Sequence, residues 1–188
     1  MNDQLRATQT VGWLMRLPFN GVREVGQLLG IAEHDARHLL HELTLRGRVD
    51  WVEPGSPDVK RGRRYFVTEE AVAAWCAARE IPVATLAGVV PAGRNDLLRR
   101  IASIEVTIGV NRLCAALAAE LRSTGHAELF DARSLPLGGP PAARWWLQGV
   151  DGYGCLWRHR RYAPFLVVWD RPAAPDLHRR RRAALWRR

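Results

Sequence analysis

The stretch KRGRRYFVTEE, Lys60 to Glu70, changes character twice in eleven residues. Four cations, Lys60, Arg61, Arg63 and Arg64, run into the alternating Tyr65-Phe66-Val67. Thr68-Glu69-Glu70 then has the composition of a helix start, a capping hydroxyl followed by two carboxylates suited to the positive end of the helix. Lys60 is the only lysine among the chain's 28 basic residues. So much positive charge at the mouth of a short strand implies an anionic partner, and the upstream sequence indicates which.

Upstream lie three helical patterns. Val11, Leu14 and Leu17 share a face over about Thr10–Leu17, closed by Pro18. Val22, Val25, Leu28 and Leu29 repeat the pattern over Val22–Leu29, and Gly30 is a suitable C-terminal cap. The third helix runs from about Ala32 to Arg46, with Ala36, Leu39, Leu40 and Leu43 inward and Gly47 at its end. Its other face carries His34, Arg37, His38, His41 and Thr44.

The period then changes to two. Val49 to Glu53 alternates, Pro54 to Gly62 has loop composition, and Arg64 to Val67 alternates again, which predicts a hairpin with a long basic tip. A helix from Ala71 to Arg79 follows. Three helices, a strand, a basic loop, a strand and a helix is the order of a winged helix-turn-helix. In such an arrangement the third helix enters the major groove and the loop lies along the phosphates, where cations release condensed counterions. The expected DNA-binding residues are Arg37, His38, His41 and Thr44 on the helix, with Lys60, Arg61, Arg63 and Arg64 on the loop. Arg37 has the fork geometry that reads guanine bidentately.

Composition agrees with a polyanionic partner. The formal net charge is +9, the sequence pI is about 10.8, and 47% apolar residues suffice for real cores. A GC-rich genome would also enrich Arg, Ala, Gly and Pro, so the position of the charge carries more weight than its sum. Cys76, Cys114 and Cys155 are odd in number and widely spaced, which suggests buried thiols in a reducing cytoplasm rather than a disulfide framework or a zinc site. The N-terminus lacks the build of a signal peptide, and no window has the length of a membrane span. The expected location is cytoplasmic.

Residues 81–96 read as a connector between a DNA-binding domain, 1–80, and a second segment, 97–188. That segment opens with a long helix, about Asp96–Ser123, with Ile101, Ile104, Ile108, Leu113, Leu117 and Leu121 as its apolar stripe. Residues 134–143 read as a loop, Arg144–Gln148 and Tyr162–Trp169 as strands, and Val150–Gly154 between them as a turn. A helix is expected from about Pro175. The overall class is α+β. The long helix, 97–123, is a candidate homodimer surface, and the C-terminal segment a candidate surface for a protein partner.

His34, His38 and His41 have the spacing of metal ligands on one helix face, but solvated or DNA-facing histidines fit a third helix of this kind better. Trp145, Trp146, Trp157 and Trp169 suit either a core or stacking on unpaired bases, with core favoured for aromatics in strands. Arg179–Arg182 with Arg187 and Arg188 suit a phosphate-contacting arm or a solvated helix face.

The stretches LPFNGVREVGQLLGIAEHDARHLLHELTLRGRVDWV, RRYFVTEEAV, GVNRLCAALAAEL and VDGYG with YAPFLVVWDRP together resemble the replication-relaxation family of plasmid and mobile-element proteins. The resemblance implies an N-terminal winged helix, a long helix and a segment similar to a restriction-endonuclease core. It further implies a role in replication, transfer or transcriptional control. A nuclease core of that type holds a divalent ion between an Asp and a carboxylate on the next strand, with a Lys two residues beyond. Asp151 matches the first acid. Val168 stands at the second, Asp170 is displaced by two, and Pro172 occupies the lysine position counted from Asp170. Arg171, adjacent to Asp170, belongs to the opposite strand face. The departures imply a site lost: no catalytic residues, no metal and no cofactor. The rivals are a nuclease using Asp151 and Asp170 in a shifted geometry, and a winged-helix protein-interaction module.

Overall fold

The computed structural model describes residues 3–55, 62–86, 94–101, 104–135 and 150–169. The fold is α+β. Helices α1 (Asp3–Arg16), α2 (Val22–Leu29) and α3 (Glu33–Leu45) lead into strands β1 (Val49–Val52) and β2 (Arg64–Val67) and helix α4 (Glu69–Ala77). A 3-10 turn, Val83–Leu86, precedes helices α5 (Arg94–Ile101) and α6 (Ile104–Thr124), and strands β3 (Glu128–Ser134), β4 (Gly152–Arg158) and β5 (Arg161–Val167) follow.

The local signals act as their chemistry requires. Gly30 ends α2 at φ 68° and Gly47 follows α3 at φ 63°, backbone that a Cβ disfavours. The Thr68 hydroxyl accepts the Ala71 N–H at 3.2 Å, a capping bond that starts α4. β1 and β2 pair antiparallel with Val49 opposite Val67 and Val52 opposite Arg64. The other side of β2 is pinned too: Tyr65 donates its N–H to the Asn20 carbonyl and accepts the Phe19 N–H.

Inward residues of these elements form one core, with Leu14, Met15, Val25, Leu40, Val49, Val67 and Val72 buried together. A second core joins the first half of the chain to the second: Leu17 and Leu28 pack with Val106, Val110, Cys114 and Ala118 of α6 and with Leu129, Ala132 and Val167 of the sheet. Fully burying a Leu contributes roughly 1.5–3 kcal/mol, so Leu17 and Leu28 alone make this joint substantial. Burial pushes the Cys114 thiol up to about 12, and it is inert filling.

Several expectations are corrected. α1 begins at Asp3, before the expected Thr10; its mostly polar first turns carry no apolar period that would mark them as helix. Of the expected stripe, Ile108 is buried and Ile104, Leu117 and Leu121 pack against the cores, whereas Leu113 and Ile101, the last residue of α5, are exposed. Smaller residues complete the inner face of α6: Val106, Val110, Cys114 and Ala118 are buried. Small side chains let α6 approach α2 and β3 closely, so the apolar stripe facing inward is already covered by the same chain.

Residues 152–154, expected within a turn, begin strand β4. Gly152 fits there because a Cβ would lie 2.6 Å from a Val110 methyl and 2.8 Å from the Arg133 carbonyl. β3 was not anticipated, since its bulge near Phe130 breaks the period of two. The sheet runs β3-β4-β5, all antiparallel. The strand expected at Arg144–Gln148 and the helix expected from about Pro175 fall outside the described residues. No helix among the described residues is long and apolar enough to cross a membrane.

Candidate nucleic-acid interface

α3 is anchored by Ala36, Leu40 and Leu43 in the first core, so its opposite face is turned to solvent. On that face His34, Arg37, His38 and His41 follow the helical spacing and are all exposed. Across from them β2 begins. Residues His34, Arg37, His38, His41 and Thr44 of α3, together with Arg63 and Tyr65, line one concavity of about 400 Å³. Five of the eight residues expected to contact DNA therefore meet: Arg37, His38, His41, Thr44 and Arg63. Lys60 and Arg61 lie outside the described residues.

The lining contains guanidinium, imidazole, hydroxyl and phenol groups and no carboxylate. At its rim the Arg37 guanidinium donates to the Glu33 carboxylate at 3.1 Å, with both side chains more than half exposed. An exposed pair at this helical spacing contributes about 0.3–0.5 kcal/mol, so an incoming anion displaces it at little cost. Thr44 donates its hydroxyl to the Leu40 carbonyl at 2.8 Å, which leaves it an acceptor towards the concavity. Asp35 and Glu42 stand on α3 outside the lining, and Glu42 is paired with Arg46 at 3.3 Å.

Arg63 is held by a residue the sequence reading omitted. Its guanidinium lies 4.2 Å from the centre of the Trp51 ring, on the neighbouring strand. The stacking orients the charge without neutralising it, and the fork remains free to donate. The signal was available: Trp51 pairs with Tyr65 in the register of the hairpin, next to Arg63.

Arg64 is a correction. It is buried and points away from the concavity. Its guanidinium donates to Glu24 of α2 at 3.2 Å, and the same carboxylate oxygen accepts from Arg112 of α6 at 3.1 Å. The other Glu24 oxygen accepts the Gly21 N–H at the start of α2, at 3.0 Å. Successive strand residues face opposite ways, so Arg63 and Arg64 have different surroundings. Burial tends to raise the Glu24 carboxyl, but the Arg64 charge and the hydrogen bonds it receives outweigh this and hold it below the usual carboxylate range.

In the second half of the chain Asp151 is buried. Its carboxylate accepts the Trp169 N–H at 2.8 Å, and its own N–H donates to the Val167 carbonyl at 2.9 Å. Asp170, Arg171 and Pro172 lie outside the described residues. Among the described residues no group of three or more His, Cys, Asp or Glu side chains is arranged to hold a metal ion, His34, His38 and His41 included. In comparisons with protein-family models, curated proteins and solved structures, none matches this chain.

Proposed function

We propose that the chain is a double-stranded DNA-binding protein in which α1–α4 and the β1–β2 hairpin act as a winged helix-turn-helix. The observation that carries this reading is the meeting of Arg37, His38, His41 and Thr44 with the Trp51-stacked Arg63 in one carboxylate-free concavity. α3 would lie in the major groove, where Arg37 reads base edges, and Arg63 would grip phosphate together with Lys60 and Arg61. The resemblance to replication-relaxation proteins, carried by the sequence alone, suggests a plasmid or mobile-element setting and a role in replication, transfer or transcriptional control. The test is equilibrium binding of the purified chain to a random-sequence duplex across a salt series. Affinity should fall linearly on a log–log plot, with a slope of about −0.9 per phosphate contact. A flat salt response would reject the reading in favour of a protein-interaction module.

The same proposal includes no cleavage step. A metal-dependent hydrolysis needs carboxylates free to share an ion. Asp151 is instead turned onto the Trp169 backbone amide, and Val168 stands where the second acid is expected. Plasmid and single-stranded DNA incubated with Mg²⁺ or Mn²⁺ should stay intact. Cutting by the wild type that Asp151→Ala abolishes would support the nuclease alternative.

A further inference from the structure

The two faces of the β1–β2 hairpin look in different directions. Tyr65, Trp51 opposite it on β1, and Arg63 just before β2 belong to the α3 side, where Arg63 and Tyr65 line the concavity. Arg64, Phe66 and Val52 belong to the other side, and they lead to α6. Phe66 lies against Phe19, their ring centres 5.7 Å apart. The fully buried Phe19 packs in turn with Ile108 of α6, and Val52 and Ile104 pack against the same pair. Arg64 reaches α6 through Glu24, to which Arg64 and Arg112 both donate.

The backbone repeats the connection. A hairpin of two short strands is marginally stable alone, so its setting depends on what else holds β2. Among the described residues, the edge of β2 away from β1 is held by a bridge between Asn20 and Tyr65. Phe19 donates its N–H to the Tyr65 carbonyl at 2.7 Å, and Tyr65 donates to the Asn20 carbonyl at 2.9 Å. In this bridge Phe19 sits at φ 66°, left-handed backbone that a bulky side chain adopts only where its surroundings fix it. α6 contributes the fixing. The buried Asn111 donates its side-chain N–H to the Pro18 carbonyl at 2.5 Å, one residue before Phe19.

We infer that Asn111 and Arg112 of α6 are positioning residues for the DNA contact. Neither lines the concavity. Adjacent on one helix, they hold β2 by two routes: Tyr65 through the Pro18–Asn20 segment, and Arg64 through Glu24. Together these set where Arg63, next to Arg64, stands against α3. The inference rests on the reading of that concavity as a DNA interface. It makes α6, in the second half of the chain, a working part of the interface.

The experiment uses the full chain and Asn111→Leu, which keeps the bulk of the side chain and removes its donor. The first measurement, without DNA, is the indole N–H resonance of Trp51, which senses the Arg63 guanidinium stacked on its ring. It should shift in the variant while the Trp75 indole on α4 stays in place. The second is affinity for a random-sequence duplex, well below the melting transition. Arg63→Ala should weaken binding roughly fivefold at physiological salt, the loss of one counterion-releasing contact. Asn111→Leu should weaken it by as much, and the two together by no more than either alone, because one acts through the other. A merely structural role lowers the melting temperature and leaves the Trp51 resonance and the salt slope unchanged. If Asn111→Leu does not fold, Arg112→Gln, at a partly exposed position, carries the same two measurements. The inference is overturned if the Trp51 indole does not move, or if the two losses multiply. Failure of the wild type to bind duplex rejects the DNA reading instead, and the Trp51 resonance alone then decides the positioning role.

Discussion

Replacing Glu24 by Ala is expected to lower stability by about 3–5 kcal/mol, because it leaves the Arg64 guanidinium buried without its counter-charge. For a chain of this size that corresponds to a melting midpoint lower by roughly 6–20 °C. Three elements meet on this one carboxylate: α2, which it caps at Gly21, β2 through Arg64, and α6 through Arg112. Arg112 is 42% exposed on its side chain, so water compensates it when Glu24 is lost. Arg64 has no such recourse. Replacing Glu24 and Arg64 together by Met should therefore cost less than Glu24→Ala alone, since an apolar pair leaves no isolated charge. Acid should act on the same bond. The folded-state pKa of Glu24 lies below its ordinary value of 4.5, so its contribution is present above pH 4.5 and is lost as pH falls through the folded value. Glu24→Gln should abolish that part of the acid sensitivity. A loss under about 1 kcal/mol for Glu24→Ala, measured by urea unfolding, would show that the cluster does not hold α2, β2 and α6 together.

The second large effect is expected on DNA affinity. Replacing Lys60, Arg61 and Arg63 by Ala should weaken binding to every duplex alike and reduce the salt slope by about 0.9 for each phosphate contact removed. Arg37→Ala should act differently. If Arg37 reads a guanine, its loss costs about 1–3 kcal/mol at the preferred site and relaxes the choice of base there. Site selection from a random pool checks this, and identical preferences for wild type and variant would move base reading elsewhere. Arg64→Ala is the informative contrast. It should lower the melting temperature, because its partner is Glu24 within the protein. An unchanged salt slope in the loop variant would remove the hairpin loop from the interface.

These contrasts depend on what a linear sequence can and cannot express. Helices α2 and α3 and the β1–β2 hairpin were legible because their signals are local: an apolar period, Gly30, Gly47 and the Thr68 cap. The α3 side of the concavity was legible for the same reason, since one helix face holds His34, Arg37, His38 and His41 together. Arg64 was not. Its burial is decided by Glu24, 40 residues earlier, and by α6 behind it. The inner face of α6 was legible only in part: Ile104, Ile108, Leu117 and Leu121 pack as expected, but Cys114, Ala115 and Ala118 are buried beside them and small residues give no apolar signal. Gly152 and Gly154 read as a turn until Val110 and Phe165 are seen in the space a Cβ would need. Trp157 shows the limit from the other side: its strand composition favours a core, and only the register of β3, β4 and β5 puts it beside Tyr162 on the solvent face.

Backbone amide resonances followed during titration with a duplex show whether the α3 face and the basic hairpin loop bind DNA. The amides of residues 34–48 and 60–65 should move together and saturate, while those of β4 and β5 stay in place. Resonances that shift only in the sheet, or nowhere at saturating duplex, would contradict such binding.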